Sequence, residues 1–406
     1  MKKLLYLVHR IPFPPNKGDK IRSFHWLKGL SEKYEIHLGT FIDDENDWQY
    51  TDQLNTYCVD AHVEKLEPGK AKLKSLKGLL TGEALTIPYY ASQSMQQWVN
   101  QTVKKENITD ILIFSSSMAQ FVEGEAFSHC HRVVDFVDMD SDKWMQYADN
   151  KSWPMSWVYR REAKTLLEYE KKIARTFTNS LFVSSKESDF FSQKLNDSSV
   201  SVNYVNNGVD TTYFSSDEDL PNPYSAGNAG SASSAGEKII VFTGAMDYWA
   251  NVDAVKWFAN EIFPEIKQKI NSIRFVIVGS KPTQDVLNLQ AIDGITVTGF
   301  VDDVRPYIKH ADVAVAPMRI ARGIQNKVLE AMSMGKIVIV SDQGLEGINA
   351  QPGKDLLLSR TNQDWLAQII TVLNEPDAET KQRARDCVVE HYSWRANIKK
   401  LANCFF

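Results

Sequence analysis

Cysteine is scarce in this chain, and long apolar runs are missing. The 406 residues include four cysteines, and no two of them form a C-x-x-C pair. This spacing predicts neither a metal site nor a disulfide framework, and it fits a reducing cytoplasm. No stretch approaches the roughly 20 apolar residues that a membrane-spanning helix requires. The first residues, 1–8, lack a small-residue cleavage site, so we expect a first buried strand rather than a signal peptide.

An excess of positive charge is also missing. The chain has 46 basic and 51 acidic side chains, for a formal net charge of −5. Such a balance gives no general attraction to nucleic acid, and we expect no nucleic-acid partner. No G-x-G-x-x-G follows the first strand predicted in either half, which disfavours a nicotinamide dehydrogenase.

Length and element order predict two α/β domains. A chain of 406 residues is too long for one ordinary core. Apolar strands alternate with helical patterns over 1–205, and the alternation begins again over 238–385. Between them, residues 206–237 include a Gly-, Ser- and Ala-rich insert at 222–236, which predicts a mobile linker. Residues 386–406 form the last segment. We therefore predict two Rossmann-like, doubly wound domains facing each other across a cleft.

A basic, glycine-containing loop lies between two predicted buried strands of the second half. In parallel α/β units, ligands bind at the carboxyl ends of strands and against helix amino termini. Lys327 and Glu330 share one face of the helix that begins near Gln325, and their spacing suits a phosphate and a ribose. The alternative is a solvated i, i+3 ion pair, which the additional cations disfavour. The candidate ligand-binding residues here are Arg319, Arg322, Gly323, Asn326, Lys327 and Glu330.

Several motifs together resemble the GT-B glycosyltransferases of family 4. As a set they look like the sugar-transferase branch associated with exosortase (PEP-CTERM) exopolysaccharide systems. The resemblance implies a GT-B fold, with a final helix that crosses back to the first domain. The motifs are Asn207-Gly208-Val209-Asp210 and residues 242–247, 251–253, 301–307, 311–313 and 322–332.

The resemblance implies retaining transfer of a sugar from a nucleotide diphosphate sugar to an acceptor hydroxyl. The second domain would hold the donor and the first domain the acceptor, with no further cofactor required. By analogy, Glu330 binds the donor ribose and Lys327 binds the diphosphate. The glycine turns at Gly244, Gly279 and Gly299 would make backbone contacts to the nucleotide.

Two departures from the family pattern bear on catalysis. Arg322 stands where family 4 usually has a glutamate, and the turn at 247–251 lacks the usual arginine and lysine. We expect Arg319 and Arg322 to supply the missing phosphate charge. If they do not, a glycosyltransferase-like subunit that binds without turnover remains the alternative. A nucleotide-sugar epimerase of the same fold is a further alternative.

Two loops of the first domain are candidates for the reaction centre. Gly18 follows the first strand and lets the backbone approach a ligand, although the proline-rich turn around it also fits a purely rigid connection. Asp138 stands where family 4 often has a histidine near the sugar. It is expected to orient sugar hydroxyls or to accept the acceptor's proton, whereas Asp140 and Asp142 are expected to cap a helix.

The acceptor is expected to be a carbohydrate or a lipid-linked glycan in exopolysaccharide or cell-surface glycan biosynthesis. Aromatic residues cluster over 144–159, a pattern that fits sugar stacking, a lipid headgroup layer or ordinary core packing. Lysines and leucines over 65–80 fit either a membrane-surface helix or a solvated helix face. These patterns leave open a cytoplasmic enzyme with peripheral contact to the inner membrane face.

Overall fold

The structure is a computed structural model in which two compact units can be described. Unit 1 comprises Met1–Asn207 and Asn397–Phe406, and unit 2 comprises Gly208–Ala396. The candidate Arg322 lies outside the described residues, as does the stretch 226–235 of the predicted linker. The described residues are 1–15, 18–149, 151–225, 236–320 and 323–405.

Unit 1 is built on a parallel sheet. Its described strands are β1 Lys2–Val8, β2 Tyr34–Ile42, β3 Asp60–Lys65, β4 Asp110–Phe114, β5 His131–Val137, β6 Asn179–Phe182 and β7 Val202–Tyr204. They are arranged in the order β3-β2-β1-β4-β5-β6-β7. The central strands β1 and β4 are apolar and almost wholly buried, because helices cover both faces of such a sheet. The chain order reverses between β1 and β4.

Serine side chains satisfy free backbone N–H groups at the start of some helices of unit 1. Ser92 and Ser184 accept hydrogen bonds from Met95 N and Glu187 N at the starts of two of them. The described helices are α1 Gly18–Ser31, α2 Pro68–Ser75, α3 Lys77–Thr81, α4 Thr86–Tyr90, α5 Gln93–Glu106, α6 Asp140–Asp149, α7 Met155–Thr176 and α8 Ser185–Leu195.

Unit 2 repeats this architecture around a second parallel sheet. Its described strands are β8 Lys238–Thr243, β9 Ile273–Val278, β10 Ile295–Val297, β11 Val313–Ala316, β12 Val338–Val340 and β13 Leu357–Leu358. They are arranged in the order β10-β9-β8-β11-β12-β13. The reversal lies between β8 and β11, and ligands of doubly wound folds bind at this kind of switch point.

The remaining helices surround the second sheet, except for the last. A π-helical turn at Phe258–Ile262 joins the first two. They are α9 Trp249–Trp257, α10 Phe263–Lys269, α11 Gln284–Asn288, α12 Arg305–His310, α13 Asn326–Ser333, α14 Asp342–Leu345, α15 Asn362–Asn374, α16 Ala378–His391 and α17 Trp394–Asn403. Most of α17 belongs to unit 1.

These two sheets confirm the predicted fold class of two Rossmann-like, doubly wound α/β units. Each unit has its own apolar core, formed by strand residues such as Ile111 in unit 1 and Ile240 in unit 2. Within the described residues, no helix combines the length and the apolar character needed to cross a bilayer.

Candidate functional site

A cavity of about 560 Å³ opens at the carboxyl ends of β8, β9 and β10, beside the start of α13. This is the switch point of the unit 2 sheet, and its volume lies within the range of ligand pockets. Five of the residues selected from the sequence line it, namely Gly244, Gly279, Asn326, Lys327 and Glu330.

Lys327 places an ammonium group in this cavity. Its Nζ donates hydrogen bonds to Asn251 Oδ1 at 2.9 Å and to Gln325 Oε1 at 3.2 Å. Asn251 is buried on α9 and donates in turn to the carbonyl oxygen of Ala245 at 2.9 Å. Burial lowers the pKa of Lys327 to about 8, although Glu330 acts in the opposite direction. Since both hydrogen-bond partners are neutral amides, the site is ready to receive an anion.

Glu330 lies one turn further along α13 and lines the same cavity. Burial raises the pKa of its carboxyl group to about 7, against the opposing effect of Lys327. Among the described residues, its carboxylate makes neither a side-chain hydrogen bond nor a direct ion pair. Lys327 and Glu330 therefore face the cavity side by side, and they do not form the solvated ion pair considered as the alternative.

Gly244 and Gly279 allow the turns after β8 and β9 to approach each other. A Cβ at Gly279 would lie 1.7 Å from the carbonyl oxygen of Gly244. A Cβ at Gly244 would lie 2.7 Å from Nδ2 of Asn251 and 3.3 Å from Cε of Lys327. A side chain at Gly244 would therefore enter the space that Lys327 and Asn251 occupy, whereas a side chain at Gly279 would push the two turns apart.

The other described candidates of unit 2, Gly299, Arg319 and Gly323, do not line the cavity. Gly299 is not among the lining residues, but it precedes Phe300, whose ring is 74% exposed and lines the cavity. Gly323 has a positive φ of 71° just before α13. Arg319 is exposed, and its Nε lies 3.7 Å from Oδ2 of Asp253 on α9. The cavity lining does not include Arg319.

Sequence reasoning did not select Asn251, which accepts a hydrogen bond from Lys327, or Phe300, which lines the cavity. Asn251 belongs to a motif noted above, but its contact with Lys327 arises only when α9 and α13 pack side by side. Phe300 could have been found from its position, because it is an aromatic residue directly after a strand-ending glycine.

A polar cavity of about 380 Å³ lies at the carboxyl ends of β1, β4 and β5 in unit 1. The sequence candidates Gly18 and Asp138 both line it, together with His9 and Lys143. Lys143 Nζ lies 2.9 Å from Oδ2 of Asp138 and 3.2 Å from Oδ1 of Asp140. Burial lowers the pKa of Lys143, but these two carboxylates outweigh it and the net pKa is raised.

A strained turn presents Asp138 to this cavity. Val137 has a φ of 68°, which a β-branched residue rarely adopts. Its N–H donates to Oδ1 of the fully buried Asp135 at 3.1 Å. Asp135 is held by Arg22 Nε at 2.7 Å and by Trp26 Nε1 at 2.8 Å, each to Oδ2. A buried ion pair thus supports the turn.

A third cavity, of about 500 Å³, shares His9, Ser115, Asp140 and Lys143 with the polar cavity. Only part of the aromatic cluster noted over residues 144–159 lines this cavity. Members of the cluster that line this cavity are Trp144, Tyr147 and Tyr159, with Trp144 centred 5.1 Å from Tyr159. The other two members, Trp153 and Trp157, are exposed. Among the described residues, no group of His, Cys, Asp or Glu is arranged to hold a metal ion.

Comparison with known proteins identifies the domain in unit 2. Residues 237–375 match the family of glycosyl transferases group 1. No curated protein matches the chain in sequence. Residues 237–375 thus form a glycosyltransferase group 1 domain, and the protein is a glycosyltransferase by virtue of this domain.

Solved structures similar to the chain have the GT-B fold. Anabaena Alr3699/HepE in complex with UDP is 14% identical, with a TM-score of 0.64 and coverage of 99% of this chain and 98% of that chain. Sucrose-phosphate synthase from Thermosynechococcus elongatus is 16% identical, with a TM-score of 0.62 over 100% and 98% of the two chains. A mutant of S. aureus TarM, in complex with Fondaparinux, alpha-GlcNAc-glycerol and UDP, is 12% identical, with a TM-score of 0.59 over 100% of both.

Proposed function

We propose that this protein is a retaining glycosyltransferase that uses a nucleotide diphosphate sugar, with unit 2 as its donor domain and unit 1 as its acceptor domain. The observation that carries the proposal is the ammonium group of Lys327, held by two amide oxygens in the unit 2 cavity and accompanied by Glu330. HepE has been solved with UDP and with UDP-glucose, and this supports uracil as the base of the donor nucleotide.

Each part of the donor is assigned to a part of the cavity. Lys327 contacts the diphosphate, because it is the cation that faces the cavity without a carboxylate hydrogen bond. Glu330 accepts hydrogen bonds from the ribose hydroxyls one helical turn further on. The backbone at Gly244 and Gly279 borders the nucleotide, and Phe300 stacks on the base with its exposed ring.

The reaction breaks the bond between the anomeric carbon and the diphosphate oxygen, so that negative charge develops on the leaving diphosphate. Lys327 stabilises this charge, and we assign Arg319 and Arg322 a supporting role. A preorganised group of this kind typically contributes about 3–4 kcal/mol to the transition state. The acceptor oxygen bonds to the same face of the carbon, and its proton passes to Asp138. Retention is carried over from the resemblance to family 4. The role of Asp138, which stands where that family often has a histidine, is proposed from its place on the polar cavity.

We further propose a carbohydrate or lipid-linked acceptor, in exopolysaccharide or cell-surface glycan biosynthesis, with peripheral contact to the inner membrane face. The exosortase-associated branch of family 4 supports this role through its shared motifs. The aromatic residues that line the third cavity support a sugar-ring acceptor, because sugars stack well on such rings. TarM, solved with alpha-GlcNAc-glycerol, is a GT-B neighbour that binds a carbohydrate.

The test is slow transfer to water, followed by NMR, with UDP-, GDP- and ADP-sugars offered separately. We expect release of a free sugar that keeps the donor's anomeric configuration before mutarotation. Lys327→Ala and Glu330→Ala should lose this turnover, and Lys256→Ala, which removes a half-buried lysine paired with Asp285, should retain it. An inverted product would refute retention, an epimerised donor would identify an epimerase, and binding without any turnover would identify a non-catalytic subunit.

A further inference from the structure

Helices α2 and α3 bury their small residues and expose their leucines. Ala71, Ser75 and Gly78 are buried, at a spacing that places them on one helical face. The leucines of this segment are all exposed, with Leu80 at 91%: Leu73, Leu76, Leu79 and Leu80. A helix on the surface of a water-soluble domain normally has the opposite arrangement.

The same segment is strongly basic. Residues 68–81 contain four lysines and no carboxylate side chain. The four are Lys70, Lys72, Lys74 and Lys77, and all are exposed. The acidic residues nearest in sequence lie outside the segment: Glu67 pairs with Lys70 at 2.7 Å, and Glu83 accepts from Thr81. The segment therefore combines exposed apolar surface with a net positive charge.

Exposed tryptophans adjoin this segment. Trp153 is 80% exposed, and Met155 and Trp157 are also exposed, around the start of α7. Arg161, one helical turn beyond Trp157, donates hydrogen bonds to the carbonyl oxygens of Gly78 and Glu83. These hydrogen bonds link the second turn of α7 to α3 and to the residues that follow it. We call the combined surface the leucine–tryptophan face: Leu73, Leu76, Leu79, Leu80, Trp153, Met155 and Trp157.

We propose that the leucine–tryptophan face docks on a bilayer surface that contains anionic lipids. Leucines enter the boundary of the acyl chains, tryptophans lie at the headgroup level and lysines contact the anionic headgroups. The face adjoins the third cavity, the one lined by Trp144, Tyr147 and Tyr159, since Lys72 and Ser75 also line it. Docking would therefore bring the proposed acceptor cavity next to lipid. This inference rests on the peripheral contact proposed above and adds its surface and its lipid class.

The test is flotation of the full chain with vesicles of 70% phosphatidylcholine and 30% phosphatidylglycerol, compared with pure phosphatidylcholine. We expect binding to the anionic vesicles that weakens as salt is raised. The double variant Leu76→Ser and Leu80→Ser should weaken this binding by at least about tenfold, since two leucines lose their apolar contact. The matched control is Val59→Ser, which removes an apolar side chain that is 61% exposed outside the face and should bind like the wild type.

A charge variant tests the basic component. Lys70→Gln with Lys77→Gln should weaken binding to anionic vesicles by about 25-fold, or about fivefold for each lysine, with no change on neutral vesicles. Three results would overturn the proposal: wild type that stays with the unbound fraction on anionic vesicles, leucine variants that float like the wild type, or leucine variants that convert a dimer to a monomer. The last result would assign the face to a second copy of the chain. Nucleotide-dependent thermal stabilisation of the wild type, measured separately, tests the transferase proposal independently.

Discussion

The opposed pKa shifts of Lys327 and Glu330 predict a narrow pH optimum for use of the donor. Burial lowers the pKa of Lys327 to about 8 and raises that of Glu330 to about 7. Donor binding needs the lysine protonated to meet the diphosphate and the glutamate ionised to accept from the ribose. Activity should therefore fall as the pH rises through about 8, and also as it falls through about 7.

The size of each effect follows from single-group titration. One pH unit beyond either pKa leaves about a tenth of the enzyme in the required protonation state. Since about 60% is in that state at the optimum, kcat/KM should drop about sixfold from the optimum by pH 9 and by pH 6. The optimum should lie near pH 7.5, midway between the two values. The measurement is kcat/KM for donor turnover, between pH 5.5 and 9.5, because this ratio reports the free enzyme.

Two conservative variants assign the limbs of the profile. Lys327→Arg keeps a charge that does not titrate in this range, so the alkaline limb should disappear while the acid limb remains. Glu330→Gln should remove the acid limb and retain the alkaline limb. Lys256→Ala, on the surface of the same unit, should keep the wild-type profile. A flat wild-type profile, or limbs that persist unchanged in both variants, would refute the assignment of these two residues.

Three further predictions concern the glycine contact, the acceptor side and the buried ion pair. Gly279→Ala should destabilise the fold by about 1–3 kcal/mol in urea unfolding, because its methyl group meets the carbonyl of Gly244, whereas Gly18→Ala, in open space, should stay within about 0.5 kcal/mol. Asp138→Ala should lower the rate of sugar transfer by about 100- to 10,000-fold if it takes the acceptor's proton, and Asp142→Ala should not. Arg22→Met should cost about 3–5 kcal/mol of unfolding free energy, since it leaves the carboxylate at position 135 buried and unpaired.

Specific results would contradict each of these predictions. Equal stability of the two glycine variants would mean that the turns after β8 and β9 separate freely. An unchanged transfer rate in Asp138→Ala would mean that a group other than Asp138 takes the proton of the acceptor hydroxyl. A neutral effect of Arg22→Met in urea unfolding would show that Asp135 is neutral or hydrated in the folded protein.

The central strands were predictable from sequence, and several edge strands were not. The apolar runs that became β1, β4, β8 and β9 are buried on both faces, so their composition alone identifies them. The strands that sequence reasoning missed are Asp60–Lys65, Val202–Tyr204 and Leu357–Leu358, and each lies at the edge of its sheet. Edge strands are short or half-exposed, and they lack the apolar run that marks a buried strand.

Local spacing predicted part of the candidate site in unit 2, and the rest depends on tertiary packing. The i, i+3 spacing of Lys327 and Glu330 was enough to place both on one cavity. The buried partner Asn251 comes from a different helix, as does Asp253, whose Oδ2 lies 3.7 Å from Nε of Arg319. On α2 and α3, the sequence separates a face of small residues from a face of leucines. The sequence alone does not show which face packs inward, because small residues can fill either a tight contact or a solvated surface.

The most direct test of the donor site is a thermal-shift measurement of the purified protein with UDP, GDP, ADP and their sugars. At 100 times its dissociation constant, a ligand of the folded state adds about 2.7 kcal/mol to the free energy of unfolding. We predict stabilisation by a uridine nucleotide that is lost in both Lys327→Ala and Glu330→Ala and kept in Lys256→Ala. Absence of a shift with every nucleotide, or a shift that both site variants retain, would contradict the assignment of the unit 2 cavity as the donor site.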